Sequence, residues 1–218
     1  EFLPVSSSAH LLFPSLLFGV KDFGIVFDIS VHAGTLAAVI YFFKKEIQSL
    51  LYAWTPWKKT RSKEDFSLGL NLLVATLPIV VVGLLASDLT ESRSANINSI
   101  AWANLVFAGL LYAAFKSSSQ SKSLTELTLS AALIIGCFQA LAVFPGASRS
   151  GMAITGALII GLNIKDTSKF AFLLSIPTIL GALVLMLAKG AYSIALSDML
   201  IMLTGFFGSA FIAFVTIK

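Results

Sequence analysis

Uncharged apolar stretches recur along the chain and predict helices long enough to cross a membrane. Six windows without Asp, Glu, Lys or Arg hold 19 to 22 residues each. They cover residues 2–20, 66–87, 94–115, 127–148, 170–188 and 199–217. Two shorter windows, 29–43 and 150–164, hold 15 residues each. Because a helix needs roughly 20 residues to cross a bilayer, the pattern predicts an all-α, polytopic bundle of transmembrane helices.

The composition excludes a soluble domain and makes the lipid bilayer the expected surrounding. The chain is 57% hydrophobic and 12% charged, whereas soluble domains average about 45–50% apolar and about 25% charged residues. The net charge of +4 does not predict a nucleic-acid partner, because six of the fifteen basic residues lie in one loop, 44–66, between two apolar stretches. By the positive-inside rule this loop is cytoplasmic.

A consistent topology follows from that loop. Spans near 26–43, 67–86, 101–115, 169–188 and 199–217 alternate across the membrane and return Lys116 and Lys122 to the inside. The remaining segments, 1–20 and 128–164, contain prolines and are not simple spans. We expect one transmembrane domain over residues 1–218. Because the chain begins with Glu and stops directly after a span, we also expect it to be a fragment that lacks a terminal helix at each end.

The two irregular segments resemble each other. Residues 2–8 and 143–149 both place a proline after apolar residues and before small or hydroxyl residues. Each copy precedes a short apolar run and then a longer span. In the predicted topology the chain enters the first copy from outside the membrane and the second copy from inside. This is the pattern of an inverted repeat, with repeats of about 1–115 and 128–218, in which broken helices meet near the membrane midplane.

Pro4 and Pro145 are predicted to begin helices inside apolar surroundings, because proline favours the first turn of a helix. The backbone amides of residues 5–7 and 146–148 would then face a cavity with the positive ends of two helix dipoles, which bind anions such as phosphate. Gly146 would let a ligand approach the backbone closely. The alternative is that both prolines only kink transmembrane helices.

Arg149 lies between uncharged windows of 22 and 15 residues. An arginine at the centre of a spanning helix costs about 2.5–3.5 kcal/mol on insertion scales, so it needs a partner. A phosphate or carboxylate held by the planar guanidinium is one partner, and Asp28 in a structural ion pair is the other. The hydroxyls of Ser148 and Ser150 add donors, and the pattern favours the anion site.

His10 follows Ser6 and Ser7 by four and three residues, so the three side chains share a face if a helix begins near Pro4. An imidazole beside a hydroxyl can activate a nucleophile or protonate a leaving group, although a hydrogen-bonded structural histidine explains the same spacing. Glu1 supplies a carboxylate suited to a hard cation such as Mg²⁺, or it is simply solvated.

Two motifs together carry a resemblance to a known family. They are EFLPVSSSAH at residues 1–10 and PGASRSG at residues 145–151. Both resemble the signature motifs of the bacterial undecaprenyl pyrophosphate phosphatases, the bacitracin-resistance family, and the similarity extends over nearly the whole chain.

The resemblance implies an integral membrane hydrolase with inverted repeats and two re-entrant helical hairpins. Its substrate would be a polyprenyl diphosphate lipid: it would remove the terminal phosphate of undecaprenyl diphosphate at the outer face of the bacterial inner membrane and so recycle the lipid carrier for peptidoglycan synthesis. It also implies a divalent cation, Mg²⁺ or Ca²⁺. The oligomeric state stays open, with a homo-oligomer as one option.

The motif match also implies roles for particular residues. Glu1 corresponds to the second glutamate of the family's glutamate pair and to a metal ligand, Ser7 to its proposed nucleophile, His10 to its essential histidine and Arg149 to its phosphate-binding arginine. Six further residues of the two motifs are candidates for substrate binding. They are Ser6, Ser8, Pro145, Gly146, Ser148 and Ser150.

The chain departs from the family pattern at three places. The first glutamate of the pair would fall four residues before Glu1. Ala9 stands where glycine is usual before the histidine, and Ala153 stands where threonine is common, with Thr155 nearby.

A transporter that flips a polyprenyl phosphate lipid across the bilayer is the alternative from another class, because broken helices in inverted repeats are transporter architecture. A non-catalytic scaffold that binds the lipid is a weaker third option. A transporter needs no nucleophile, so loss of hydrolysis on substitution of His10 would favour the enzyme.

Overall fold

The computed structural model describes residues 3–55, 62–86, 97–189 and 196–217. Within these ranges the chain is built from α-helices joined by short turns. The helices are α1 Ser7–Phe18, α2 Gly24–Phe42, α3 Lys44–Ala53, α4 Lys63–Leu85, α5 Ile97–Ser117, α6 Leu129–Ala140, α7 Arg149–Ile159, α8 Ile164–Lys189 and α9 Leu196–Ile217. Two 3₁₀ turns, Leu124–Glu126 and Leu141–Val143, flank α6.

Within the described ranges, four helices are long and apolar enough to cross a membrane. They are Lys63–Leu85, Ile97–Ser117, Ile164–Leu185 and Met199–Ile217. A fifth span results if α2 and α3 are counted as one, although the chain bends by 76° between Val26–Phe42 and Lys44–Ala53. The predicted polytopic helical bundle is confirmed, and its spans fall where the uncharged windows placed them.

The predicted basic loops meet at one end of the bundle, which we call the basic end. Lys169 on α8 lies 3.9 Å from the Glu46 carboxylate on α3. The amide of Lys122 donates to the carbonyl of Gly161 at 2.9 Å, and the amide of Asn163 donates back to Lys122. The lysines of this end are Lys44, Lys45, Lys63, Lys116, Lys122, Lys165 and Lys169. This clustering agrees with the topology predicted from charge.

Helices α6 and α7 form a hairpin whose two ends lie at the basic end. Asn71 on α4 donates to the carbonyl of Leu127, just before α6, at 2.8 Å. After α7 the chain reaches Gly161, which is bonded to Lys122. The hairpin therefore enters and leaves from the same end, although its placement as a re-entrant segment in a membrane stays a prediction.

Small side chains let the central helices approach closely. The core lies between α4, α6, α7 and α8 and combines alanines with larger apolar residues. Its buried members are Leu72, Ala75, Leu127, Ala132, Ile135, Ala153, Ala157, Leu162, Phe170, Ala171, Leu173 and Leu174. Close backbone approach through small residues is how helices associate in a membrane, where burial of apolar surface alone gives little attraction.

The same principle holds for α2 and α9. A side chain at Gly34 would collide with the carbonyl oxygen of Phe206 and the hydroxyl of Ser209. On the facing helix, a Cβ added at Gly205 would lie 2.9 Å from the hydroxyl of Ser30. The two helices therefore depend on these glycines for their contact.

We expect Gly34→Leu to destabilise the protein by at least about 1–3 kcal/mol, the range measured for overpacked cores. Thermal unfolding of the detergent-purified protein measures the effect. Gly208→Leu on α9 is the matched control, because a Cβ there meets no described atom within 4 Å. Equal melting temperatures for the two variants would contradict the packing assigned to α2 and α9.

Candidate active site

The N-termini of α1 and α7 are built alike, each closed by a serine. The hydroxyl of Ser6 accepts from the amide of Ala9 at 3.3 Å, and that of Ser148 accepts from the amide of Gly151 at 3.1 Å. A serine N-cap satisfies one of the amides that the first helical turn leaves without an intrahelical partner. The predicted similarity of the two motifs is thus visible in their capping.

The prediction that Pro4 and Pro145 begin these helices is wrong. Helix α1 begins at Ser7, three residues after Pro4, and α7 begins at Arg149, four residues after Pro145. The amides of Val5 and Ala147, predicted to face a ligand, donate instead to the carbonyls of Leu3 and Phe144. Ser6 and Ser148, both with extended backbone, cap the two helices. The prolines lie in the turns that precede these caps.

The structure brings the two motifs into contact. The hydroxyl of Ser150 donates to the carbonyl of Leu3 at 3.0 Å. Pro4 packs beside Gly151, where an added Cβ would lie 3.4 Å from the Cβ of Pro4. We call this contact region of residues 3–10 and 145–151 the junction. It joins the N-terminal turns of α1 and α7, so two positive helix ends lie in one region.

Gly146 is needed for packing. Its φ of 97° lies in the region that favours glycine. A Cβ there would stand 2.7 Å from the carbonyl oxygen of Ile100 and 3.1 Å from Ala103 on α5. The first turns of α5 therefore support the junction from behind, at the end of the bundle opposite the basic end.

Arg149 is the first residue of α7, directly after the Ser148 cap and directly before Ser150, which contacts Leu3. Its side chain is half-buried and its Nη1 atom is fully buried. A guanidinium at a helix N-terminus adds a full positive charge to the amide dipoles already there. The first turn of α7 is therefore suited to a phosphate.

His10 is exposed on α1, and its ring orientation is set by the backbone. Its Nδ1 donates to the carbonyl of Ser6 at 2.8 Å, because a carbonyl oxygen can only accept. In the neutral ring Nε2 then carries the lone pair and can act as a base. Ser7 begins the same helix three residues earlier and is half-buried, so both side chains lie on one face as predicted.

The serines of the second motif hold the junction together. Ser148 caps α7 and lies 3.2 Å from the hydroxyl of Ser150, which itself bonds to Leu3. The hydroxyls of Ser148 and Ser150 were predicted as donors to an anion. In the structure they bond within the protein, where Ser148 caps α7 and Ser150 bonds to Leu3. Glu1 and the side chain of Ser8 lie outside the described residues.

A cavity of about 270 Å³ adjoins the junction. Pro4, Gly146 and Ser148 form one wall, and Asn104 and Leu105 on α5 form another. The Asn104 amide donates to the carbonyl of Ile100 at 3.0 Å. Sequence reasoning missed Asn104, although a lone carboxamide within the apolar stretch 101–115 was the available signal.

The described residues contain no ready-made cluster of metal ligands. Among them, no three His, Cys, Asp or Glu side chains lie close enough to hold a metal ion. The predicted metal ligand, Glu1, falls outside those residues. The cation therefore stays a prediction, and no chemical step is assigned to it.

Two of the positions that depart from the family pattern are buried. Ala9 is 4% exposed and its amide is the one capped by Ser6. Ala153 is 1% exposed within the core. Thr155 is fully buried and donates to the carbonyl of Gly151 at 2.7 Å, so it does not substitute for a threonine hydroxyl at position 153.

The fold defines an α-helical membrane protein, and its junction brings two serine-capped helix N-termini and Arg149 into one region. The sequence profile described as "Bacitracin resistance protein BacA" matches residues 1–218. The chain belongs to this family, and the resemblance inferred from the two motifs is confirmed.

Several similar proteins carry the name undecaprenyl-diphosphatase. The one from Saccharophagus degradans is 46% identical over 179 residues, which cover 82% of this chain and 68% of that protein. The one from Alcanivorax borkumensis is 44% identical over 183 residues, 84% of this chain and 69% of that protein. The one from Aliivibrio salmonicida is 42% identical over 217 residues, 97% of this chain and 78% of that protein.

We expect Ser148→Asp to preserve stability but weaken binding of inorganic diphosphate by at least about tenfold, or about 1.4 kcal/mol. Aspartate caps helices as well as serine does, whereas its charge opposes an anion beside Arg149. Ser148→Ala should lose about 1 kcal/mol of stability with the cap. Titration calorimetry and thermal unfolding measure the two effects separately.

Thr128→Asp is the matched control for charge at a cap. Thr128 caps α6 at the basic end, where its hydroxyl accepts from the amide of Ala131 at 3.3 Å. Diphosphate binding should be unchanged in this variant. Equal binding by the Ser148→Asp and Thr128→Asp variants would show that the α7 N-terminus is not the anion site.

Proposed function

We propose that this chain is an undecaprenyl-diphosphatase, which hydrolyses the terminal phosphate from undecaprenyl diphosphate and leaves undecaprenyl phosphate. The observation that carries the proposal is the junction: two serine-capped helix N-termini joined by the Ser150–Leu3 bond, with Arg149 at one tip and Ser7 at the other. Membership of the family and relatives named undecaprenyl-diphosphatase support it. Nothing in these comparisons supports a transporter.

Arg149 and the first-turn amides of α1 and α7 would hold the diphosphate. Phosphoryl transfer depends mainly on positioning the reactants and on stabilising the charge that develops on the equatorial oxygens. The guanidinium can donate two parallel hydrogen bonds to a phosphate, which a lysine cannot. Arg149 and these amides would supply both requirements.

His10 would act as the base through Nε2, because its Nδ1 is committed to the carbonyl of Ser6. In one route Ser7 Oγ attacks the terminal phosphorus, its proton passes to His10, and the anhydride P–O bond breaks to release undecaprenyl phosphate. Water then hydrolyses the phosphoserine. In the other route His10 takes a proton from water as the water attacks the terminal phosphorus, and the anhydride P–O bond breaks to release undecaprenyl phosphate and inorganic phosphate.

The active site would face the outer side of the bacterial inner membrane. Two features support this orientation: Gly146 packs against Ile100 near the start of α5, whereas the lysines gather where α5 ends. The positive-inside rule places the lysine-rich end in the cytoplasm. The product would thus be released at the face where lipid carrier is returned for cell-wall synthesis.

Phosphate release from a long-chain prenyl diphosphate by detergent-purified protein tests the proposal. Hydrolysis is expected, with the lipid monophosphate as the second product by mass spectrometry. Adding a chelator tests the predicted Mg²⁺ or Ca²⁺ requirement in the same assay. Translocation of the lipid in liposomes without phosphate release would overturn the enzymatic assignment.

We expect His10→Ala to lower kcat by roughly 10²–10⁴-fold, the contribution typical of a general base. His32→Ala is the matched control: His32 is the other histidine of the chain, and its Nδ1 likewise donates to the carbonyl four residues earlier, that of Asp28. Comparable losses in both variants would count against a specific role for His10.

Ser7→Ala separates the two routes. Trapping of a phosphorylated Ser7 in the unmodified protein, together with loss of turnover in Ser7→Ala, supports the covalent route. Retained turnover in Ser7→Ala would leave only activated water.

We expect Arg149→Lys to lower kcat by at least about 10²-fold, as loss of an oxyanion donor does, because a point charge cannot replace the bidentate guanidinium. The melting temperature of the variant serves as the control for folding. Near-normal turnover with an intact fold would refute the role of Arg149.

A further inference from the structure

The chain turns sharply where α2 meets α3 at the basic end. Helix α2 has 19 residues and is apolar enough to cross most of the hydrocarbon core, and the chain bends by 76° between it and α3. Because spanning helices tilt by about 20° from the bilayer normal on average, α3 lies closer to the plane of the membrane than to its normal. It therefore runs along the membrane surface at the basic end.

One side of α3 packs against the bundle. The Ser49 hydroxyl donates to the Asp65 carboxylate on α4. Glu46, the only acidic residue of α3, lies 3.9 Å from the ammonium group of Lys169 on α8, and Ala53 is 3% exposed. These contacts fix the direction of α3 and place its one carboxylate beside a lysine of the bundle.

The opposite side of α3 is exposed, and we call it the outer face. Its residues are Lys44, Lys45, Gln48, Leu51 and Tyr52, all of them exposed. The spacing of three to four residues from Lys44 to Gln48 and on to Leu51 places them on one side of a helix. None of the five is acidic, and Leu51 and Tyr52 are 64% and 53% exposed. The outer face therefore combines positive charge at its start with large apolar side chains at its end.

A lipid surface accounts for both parts of the outer face. A helix that combines charged groups with exposed apolar side chains lies in the membrane interface, with its apolar groups at the boundary of headgroups and acyl chains. Tyr41, on the last turn of α2, is 53% exposed, and the Lys44 ammonium group stands 4.5 Å from the centre of its ring. Tyrosine is enriched at that interface, and lysine extends its ammonium group towards the headgroups. Both residues place the start of α3 at the depth of the lipid phosphates.

We propose that the outer face of α3 binds the headgroup of an anionic phospholipid, an interaction separate from hydrolysis at the junction. Lys44 and Lys45 contact the phosphate, and Leu51 and Tyr52 contact the first carbons of the acyl chains. A zwitterionic headgroup has no net charge to match the two lysines. A second copy of the chain docked through the same face would bring four lysines together with no carboxylate of that face between them, so charge complementarity favours the lipid.

Native mass spectrometry of the detergent-purified protein tests the proposal with phosphatidylglycerol, which is anionic, and phosphatidylcholine, which is zwitterionic, on the same acyl chains. The unmodified protein should retain phosphatidylglycerol preferentially. In the double variant Lys44→Gln, Lys45→Gln the Kd for phosphatidylglycerol should rise about 25-fold, because each lysine near an anionic surface contributes roughly fivefold. Equal retention of the two lipids by the unmodified protein would overturn the proposal.

The double variant Lys122→Gln, Lys165→Gln is the matched control. It removes the same charge from two exposed lysines of the basic end that lie outside α3. Its affinity for phosphatidylglycerol should stay close to that of the unmodified protein. Equal weakening in the two double variants would show that only the summed charge of the basic end matters, and would overturn the assignment to α3.

The depth of the outer face gives a second readout that does not depend on the lysines of α3. A spin label is attached at Leu51→Cys in a Cys137→Ser background, because Cys137 is the one cysteine of the chain, and is measured in vesicles of phosphatidylglycerol and phosphatidylcholine. The label should collide more with oxygen, which concentrates in lipid, than with a water-soluble nickel complex. A label at Lys122→Cys is the control and should show the reverse.

Two results of the labelling would overturn the proposal. Preferential collision of the position-51 label with the nickel complex would place the outer face in water. Dipolar coupling between the labels of two copies would assign the face to an oligomer contact instead.

Discussion

A helix that begins inside an apolar bundle leaves backbone amides that need partners, and this requirement governs the junction. In the hydrocarbon region of a bilayer each unsatisfied backbone group costs several kcal/mol. Ser6 and Ser148 close the tips of α1 and α7, and Ser150 donates to the carbonyl of Leu3. The capped helix N-termini keep the positive ends of their dipoles. The same N-termini therefore attract a phosphate.

The junction in turn depends on close packing behind it. Gly146 can turn the chain towards α7 only because it lacks a side chain against Ile100, and Gly151 leaves space for Pro4. The α6–α7 hairpin is supported by small core residues, among them Ala153 and Ala157. Precise placement of the junction thus requires rigid helices in near backbone contact.

Much of the fold was predictable because the free energy of moving a helix from water into a bilayer depends on the side chains of that one segment. Uncharged windows placed the spans, and the lysines placed the basic end. The starts of α1 and α7 were predicted at Pro4 and Pro145, yet the helices begin after Ser6 and Ser148. Proline and serine both favour helix N-termini, so the sequence alone does not decide which of two closely spaced residues forms the cap.

The amino-acid order alone established a polytopic membrane protein, predicted its orientation, and gave two motifs with an arginine and a histidine suited to phosphate chemistry. Each of these depends on side-chain type and spacing over a few turns of chain. Folding in three dimensions decided that the motifs touch, through Ser150 and Leu3, 147 residues apart. It also decided that hydroxyls expected to bind an anion hold helix ends, and that α5 contributes Asn104 to the wall of a cavity. Such contacts arise from helix packing, which no local pattern encodes.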